Sequence, residues 1–451
     1  MNQTRRLLTI IMLLVAAIHS VAADAEPLPA FPGAEGFGAT TPGGRGGRVI
    51  FVTNLDDDGP GSFRAACDAE GPRMVLFRVS GTIALKSPLV VKNPYLTIAG
   101  QSAPGDGICL RDQTFGVATH DVVVRYLRSR LGDVSRQQSD ALDLLHGARN
   151  VIIDHCSATW SVDECLSLSG NVANVTVQWC LIGESLRKSI HAKGPHGFGS
   201  LARANGPVTF HHNLWLHNDS RNPRLGDNYG KPPFPTFDVR NNVIYGFGGT
   251  ASGLTQGVLE VNYVGNYLRA GPGSTARTPI SVGEKSDLRF FIRDNVYDAH
   301  EEFTADNTRF FSVREAAGKR IVTIVDQPFA APAVRTVPGA AALDLVLSDV
   351  GASHPRRDPV DERLVGQVRA GTGRMIDSQT EVGGWPVLHS AEAPADADND
   401  GLPDAWETRH RLDPRNHADA ALDADGDGYP NLEEYLNDTD PRKAERGAHS
   451  A

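Results

Sequence analysis

Residues 207–226 read PVTFHHNLWLHNDSRNPRLG. Val208 and Phe210 alternate with Thr209 and His211, the period-two pattern of a strand with one face inward. Asn213 follows, and then an Arg-Asn-Pro-Arg turn at residues 221–224. That order places a held guanidinium, Arg221, just beyond a strand end, beside a surface that polar loops can build up.

Working outward, the pattern recurs. Short alternating or apolar runs cover residues 95–99, 121–126, 151–154, 175–179, 237–240, 259–263 and 289–293. From residue 121 onward the starts of such runs lie 22 to 33 residues apart, with polar or glycine-rich stretches between them. None of those stretches carries a long amphipathic helical period, which argues against strand–helix–strand units. Irregular repeats of this length, each burying its face only by stacking on the next, predict an all-β fold of the parallel β-helix type.

Two columns support the stacking. Asn213, Asn242, Asn266 and Asn295 each follow a strand and precede a hydrophobic residue, so they are expected at one turn position, hydrogen-bonded to each other and to the backbone. Cys156 and Cys180 lie six residues beyond Asn150 and Asn174 and should stack in the same way. They read as inward packing first, a disulfide second, and not as catalytic thiols.

Residues 1–23 carry Arg5 and Arg6, an apolar run from Leu7 to Ile18 and then small residues. This is the pattern of a secretory signal peptide, and the run is too short for a membrane span. An extracellular or periplasmic protein of roughly 425 residues is expected, one long domain plus something smaller. Export permits disulfides, but five cysteines leave at least one unpaired.

The net charge of −10 is misleading until it is located. Residues 394–441 alone hold 14 acidic residues against three arginines. Residues 187–240 hold eight Lys or Arg against three Asp, a cationic patch around the 221–224 turn that suits an anionic polymer. Aromatic residues are only 7% of the chain and no nucleic-acid motif occurs, so no nucleic-acid partner is expected.

The 207–226 stretch resembles the active-site strand of pectate lyases of the polysaccharide lyase family 1 type. Residues 139–180, SDALDLLHGARNVIIDHCSATWSVDECLSLSGNVANVTVQWC, are similar to that family's calcium-site turns. The resemblance implies a right-handed parallel β-helix and Ca²⁺-dependent β-elimination of (1,4)-alpha-D-galacturonan to unsaturated oligogalacturonides. It makes Asp140 and Asp163 calcium ligands, with Glu164 or Asp143 in support, and Arg221 the base that removes the ring proton. Lys188 or Lys193, with Arg224, would bind substrate carboxylates. Asp154-His155-Cys156 matches a sequence that mainly packs the turns. Two positions depart from the family: Ser167 stands where a further aspartate is usual, and Gly226 where a second arginine is. The glycine-rich segment FPGAEGFGATTPGGRGG (31–47) lacks the lysine and hydroxyl spacing of a phosphate loop; the resemblance implies that it caps and enters the helix.

The same residues admit other chemistries. His211 and His212, adjacent in a strand, should point to opposite faces and so cannot share a zinc ion. A polygalacturonase-type hydrolase would need Asp140 with Asp163, or Asp163 with Glu164, as its carboxylate pair. A noncatalytic polysaccharide-binding or surface-attachment protein on the same scaffold is the runner-up, given Ser167 and Gly226, and the hydrolase comes third.

The tail holds the most formal motif. Asp396, Asp398, Asp400, Asp404 and Glu407 occupy positions 1, 3, 5, 9 and 12 of an EF-hand loop, with Gly401 at 6 and the Leu402 carbonyl at 7. Asp423, Asp425, Asp427, Tyr429, Asn431 and Glu434 repeat this 27 residues later, with Gly428 at 6. The loops resemble the calcium repeats of dockerins and thrombospondin type 3 modules. The resulting division is a signal peptide at 1–23, a β-helix at 24–328, a connector at 329–393 and a small C-terminal calcium-binding tail at 394–442. A monomer is expected, with no membrane span after signal removal and a surface or scaffold partner reached through the tail.

Overall fold

The computed structural model describes residues 27–254, 257–275, 278–316 and 318–444; the expected signal peptide lies outside them. Three parallel sheets of eleven, nine and eight strands run the length of a solenoid. One turn shows the plan: Arg149–Asp154 in the first sheet, Ser157–Thr159 in the second and Leu166–Leu168 in the third. The next turn lies directly on it, with Val151 paired to Val175, Ser157 to Leu181 and, on the other side of Leu166, Leu142. All eight runs identified in the sequence fall in the first sheet.

Alternation sends Val151, Ile153, Val175, Val177, Val208 and Phe210 into one continuous core. The helix Phe63–Asp68 closes its beginning, burying Phe63, Ala66 and Cys67. Between the first and second sheets the chain turns in two residues. The first takes a left-handed backbone, as at His155 (φ 47°), Trp179 (φ 52°) and His212 (φ 54°). The strain of that conformation is offset by stacking of Tyr126, His155, Trp179 and His212, whose ring centroids lie 4.9, 5.6 and 4.5 Å apart in succession. The second turn residue points inward and forms the asparagine column. Asn213 donates to Asn242 Oδ1, Asn242 to Asn266 Oδ1 and Asn266 to Asn295 Oδ1 through both main-chain and side-chain nitrogens at 2.9–3.0 Å. Asn307 ends it by accepting from Asn295. Asn213 Oδ1 also accepts from the Cys180 main chain, so Cys180 continues the column. All five cysteines are buried free thiols.

Segment 31–47 leads into the first strand, Arg48–Val52, but does not cap the helix. It runs along the outside of the first sheet, donating from Phe37 to Thr209, from Gly38 to Thr176 and from Gly44 to Thr97. Glycine permits the approach: a Cβ at Gly44 would lie 1.9 Å from the Arg73 carbonyl oxygen.

Residues 329–393 are more than a connector. Helices Gly339–Asp349 and Pro359–Ala370 pack Val346, Leu347, Leu364 and Val368 onto the outer face of the second sheet, against Leu181, Leu214, Leu216 and Tyr245. Asp358 caps the second helix and, with Asp361, holds the buried Arg130. The tail covers the outside of the first sheet at its first turns, where Met74 and Leu76 meet Leu402, Trp406, Ala420 and Leu432. Among the described residues no helix is long and apolar enough to cross a membrane.

Candidate active site

The connections from the second sheet to the third are long and polar, and stack on one another. Glu164 bridges to Phe198 and Phe198 to Ser220, so residues 163–164, 198 and 220–221 occupy successive levels of one cleft wall. Asp140 is joined to this wall by accepting from the Glu164 main-chain N–H at 3.0 Å. Asp140 and the adjacent Asp163 and Glu164, 23 and 24 residues further along the sequence, thereby bring one oxygen each within 4.8 Å of one another.

Arg221 has a left-handed backbone (φ 64°), and its carbonyl accepts from Ser200. Its guanidinium lies over the Phe198 ring at 3.7 Å and contacts Glu164. Burial and the neighbouring Arg224 lower its pKa to about 10, against the pull of Asp163 and Asp140. The Asp140 carboxyl is raised to about 8 by burial and by Asp163, while a hydrogen bond from Ser167 and the charge of Arg221 act the other way. Ser167 therefore bonds the first aspartate. Asp143 pairs with Ser167 across the third sheet, and burial and Asp140 push its carboxyl well above the usual range. One of its oxygens is buried without a hydrogen-bond partner. Crowded carboxylates short of positive charge, with an all-oxygen donor set, fit a hard divalent cation.

Arg224 opens the strand Arg224–Asp227. Its neighbour Arg203, on Leu201–Ala204, pairs with Gly226 and lowers the pKa of Arg224 after burial does. Gly226 thus leaves room beside an arginine from the preceding turn, a pairing that only the sheet register reveals. Lys188 and Lys193 are exposed on the 187–197 loop, their main-chain nitrogens bonded to Asp377 and His191. On that loop His191 and His196 stack at 3.6 Å and turn Nε2 toward Asp163, at 3.7 and 3.9 Å.

His211 and His212 lie elsewhere, and not on opposite faces. His212 falls in the left-handed turn after the strand, which swings its Nδ1 to 2.8 Å from that of His211. His211 also bonds Gln178 and His212 stacks on Trp179, so both are packing residues. Asp154 is likewise buried, accepting from Arg125, His155 and Gln178.

The chain is 37% identical over 411 residues to a "Probable pectate lyase C" of Aspergillus terreus, covering 89% of this chain and 91% of that one. The chain belongs to the pectate lyase family. A second pectate lyase family relative, "Probable pectate lyase C" of Emericella nidulans, is 37% identical over 392 residues, covering 86% of this chain and 87% of its own length. The fold is similar to a solved pectate lyase structure titled for its substrate specificity and anti beta-elimination mechanism, with a TM-score of 0.50 at 14% identity over 73% of this chain and 99% of that one. No family model matches.

In the tail, Asp396, Asp398 and Asp400 form one carboxylate group and Asp423, Asp425 and Asp427 another. Asp400 and Glu407 also converge with Asp419, a residue outside the loop pattern. Burial and then the charges of Asp400, Asp398 and Asp419 raise Glu407 to about 8. Asp404 starts the helix Asp404–His410 and accepts from Ala397. Leu402 and Tyr429 donate to Asp400 and Asp427, Asn431 donates to the Asp419 carbonyl, and Glu434 is buried.

Proposed function

We propose that this chain is a secreted lyase that cleaves polygalacturonate by β-elimination, with Arg221 taking the proton. The observation that carries the reading is Arg221 held beside Asp140, Asp163 and Glu164 on successive turns of a pectate lyase family solenoid.

Arg203 and Arg224 offer two adjacent guanidinium groups to a uronate carboxylate, the bidentate contact that orients a sugar in the cleft. Neutral Arg221 removes the ring proton next to that carboxylate. The electron pair forms the ring double bond as the bond to the neighbouring glycosidic oxygen breaks, and that oxygen acquires a proton from water. A guanidinium is ordinarily never neutral; burial and Arg224 lower this one far enough for a small neutral fraction at alkaline pH. Ca²⁺ held by Asp140, Asp163 and Glu164 would supply positive charge against the enolate-like carboxylate. Lys188 and Lys193, on the loop above Asp163, are the cleft's further cationic contacts.

The hydrolase alternative fits less well. Three carboxylates converging within 4.8 Å leave less than the roughly 5–9.5 Å that flanks a glycosidic bond in hydrolases. The leader at 1–23 directs export, residues 24–328 act as the catalytic body, and the paired tail loops hold Ca²⁺.

The test incubates the mature protein and its Arg221→Ala variant with polygalacturonate, with Ca²⁺ or with chelator, and follows the ultraviolet absorbance of an unsaturated product. Absorbance requiring both Ca²⁺ and Arg221 supports the reading. New saturated reducing ends without absorbance would mean a hydrolase; bound polymer without product would mean a binding protein.

A further inference from the structure

The second converging group in the tail contains a residue that no loop pattern assigns. Asp419 lies 12 residues beyond Glu407, in the short connection between the two repeats. One of its oxygens meets those of Asp400 and Glu407 within 4.8 Å, and the three residues are only 3, 1 and 0% exposed. Both oxygens of Glu407, Oδ2 of Asp400 and Oδ1 of Asp419 have no hydrogen-bond partner among the described residues. Buried carboxylates facing one another in this way need a cation between them or a proton on one of them. Their donors are all oxygen, the set that takes calcium in preference to a softer metal. The remainder of Asp419 is already tied: Oδ2 accepts from Asp413, and its carbonyl accepts from Asn431, position 9 of the second loop.

The same segment is fastened to the solenoid. Along Arg73–Phe77, Val75 and Phe77 point into the core, whereas Met74 and Leu76 point outward and are covered by Leu402, Trp406, Ala420 and Leu432. Arg78 bonds Asp396, position 1 of the first loop, at 2.9 Å and Asn399 at 2.8 Å. Arg45 pairs with Glu433 at 2.8 Å, and Arg125 donates to Asn437 at 2.6 Å. The apolar side of both tail helices is therefore occupied within the chain.

Resting on the reading of the tail loops as calcium sites, we propose that Asp419 is a ligand of the first tail site and that calcium there locks the tail as an intramolecular brace over the first turns of the solenoid. The tail then serves this chain's own stability, and its apolar side is not a free docking surface for another protein.

Hydrogen exchange on the full mature chain tests this, with CaCl₂ titrated into chelator-treated protein and MgCl₂ as control. Calorimetry counts the bound ions. Chelation should accelerate exchange at least tenfold in Arg48–Val52, Arg73–Phe77 and Asp404–His410 together. Asp419→Asn should raise the calcium midpoint of that protection at least tenfold, whereas Asp140→Asn leaves it in place. Calcium bound to the tail with exchange unchanged by chelation would overturn the brace. A wild-type midpoint in Asp419→Asn would overturn the ligand assignment. No calcium bound by the tail would overturn the underlying reading of the loops. The chelation result on the wild-type chain decides the brace even where the variant folds poorly.

Discussion

The guanidinium of Arg221 contacts the carboxylate of Glu164, two levels back along the cleft wall, while lying over the ring of Phe198 on the level between them. Glu164 thus faces both Arg221 and the carboxylates of Asp140 and Asp163. On the proposed mechanism its charge is shared between the cation site and the base. Glu164→Gln should therefore raise the calcium concentration for half-maximal activity by about tenfold or more, the effect of removing one anionic ligand, measured by product absorbance against free Ca²⁺.

Arg221→Ala should lower kcat/KM by about 10²–10⁴-fold, the usual contribution of a positioned base. Polymer binding should persist, because Arg203 and Arg224 are untouched. Absorbance assays paired with polymer affinity electrophoresis check both parts. Loss of binding with the activity would make Arg221 a carboxylate anchor.

The pH profile follows from the same group. A base acts in its neutral form, so the active fraction is small below the pKa of about 10 and grows as pH rises toward it. At saturating Ca²⁺, kcat/KM should climb about tenfold per pH unit from neutrality and level near or above pH 10. A profile flat between pH 7 and 9 would require a different base.

Arg203 and Arg224 should matter to binding more than to the chemical step. Removing a charged hydrogen-bond partner costs about 1.5–3 kcal/mol. Arg203→Ala is thus expected to raise KM about 10- to 100-fold with a smaller change in kcat, and Arg224→Ala to do the same. An unchanged KM in Arg203→Ala would leave the vacant place beside Gly226 without a role.

Asn242→Ala should destabilise the solenoid by about 2–4 kcal/mol, because it strands several buried groups at once. Asn242 accepts from two nitrogens of Asn213 and donates to the Phe210 carbonyl and to Asn266. Chemical denaturation of the mature protein measures the loss, and Asn295→Ala, next to the column's end, provides the comparison.

The first sheet was legible because its strands are long enough to alternate. Val208–His211 and Arg149–Asp154 show a period; Ser157–Thr159 and Leu181–Gly183, three residues each, cannot. The asparagine column was visible because one residue type recurred at one place in each turn. Helix Pro359–Ala370 shows in the sequence only as a short helical or extended piece at 364–368, amid proline and charge, although Asp358 before Pro359 and Gly371 after Ala370 are start and stop signals. At the site, Asp140, Asp163 and Arg221 stand in local motifs. Arg203 beside Gly226, His191 and His196 over Asp163, and Asp419 against Glu407 arise only when distant turns or repeats come together, so no local spacing reveals them.

The asparagine column has an evolutionary consequence. Its members are 29, 24 and 29 residues apart, yet the bend that carries them is always two residues long. The variation in repeat length falls instead in the connections on either side of the third sheet and in the first-sheet strands of these turns, which run from four to eight residues. Insertions and deletions in those connections can reshape the cleft rim without shifting the register of the wall, so this architecture separates the part that must stay constant from the part on which specificity can diversify.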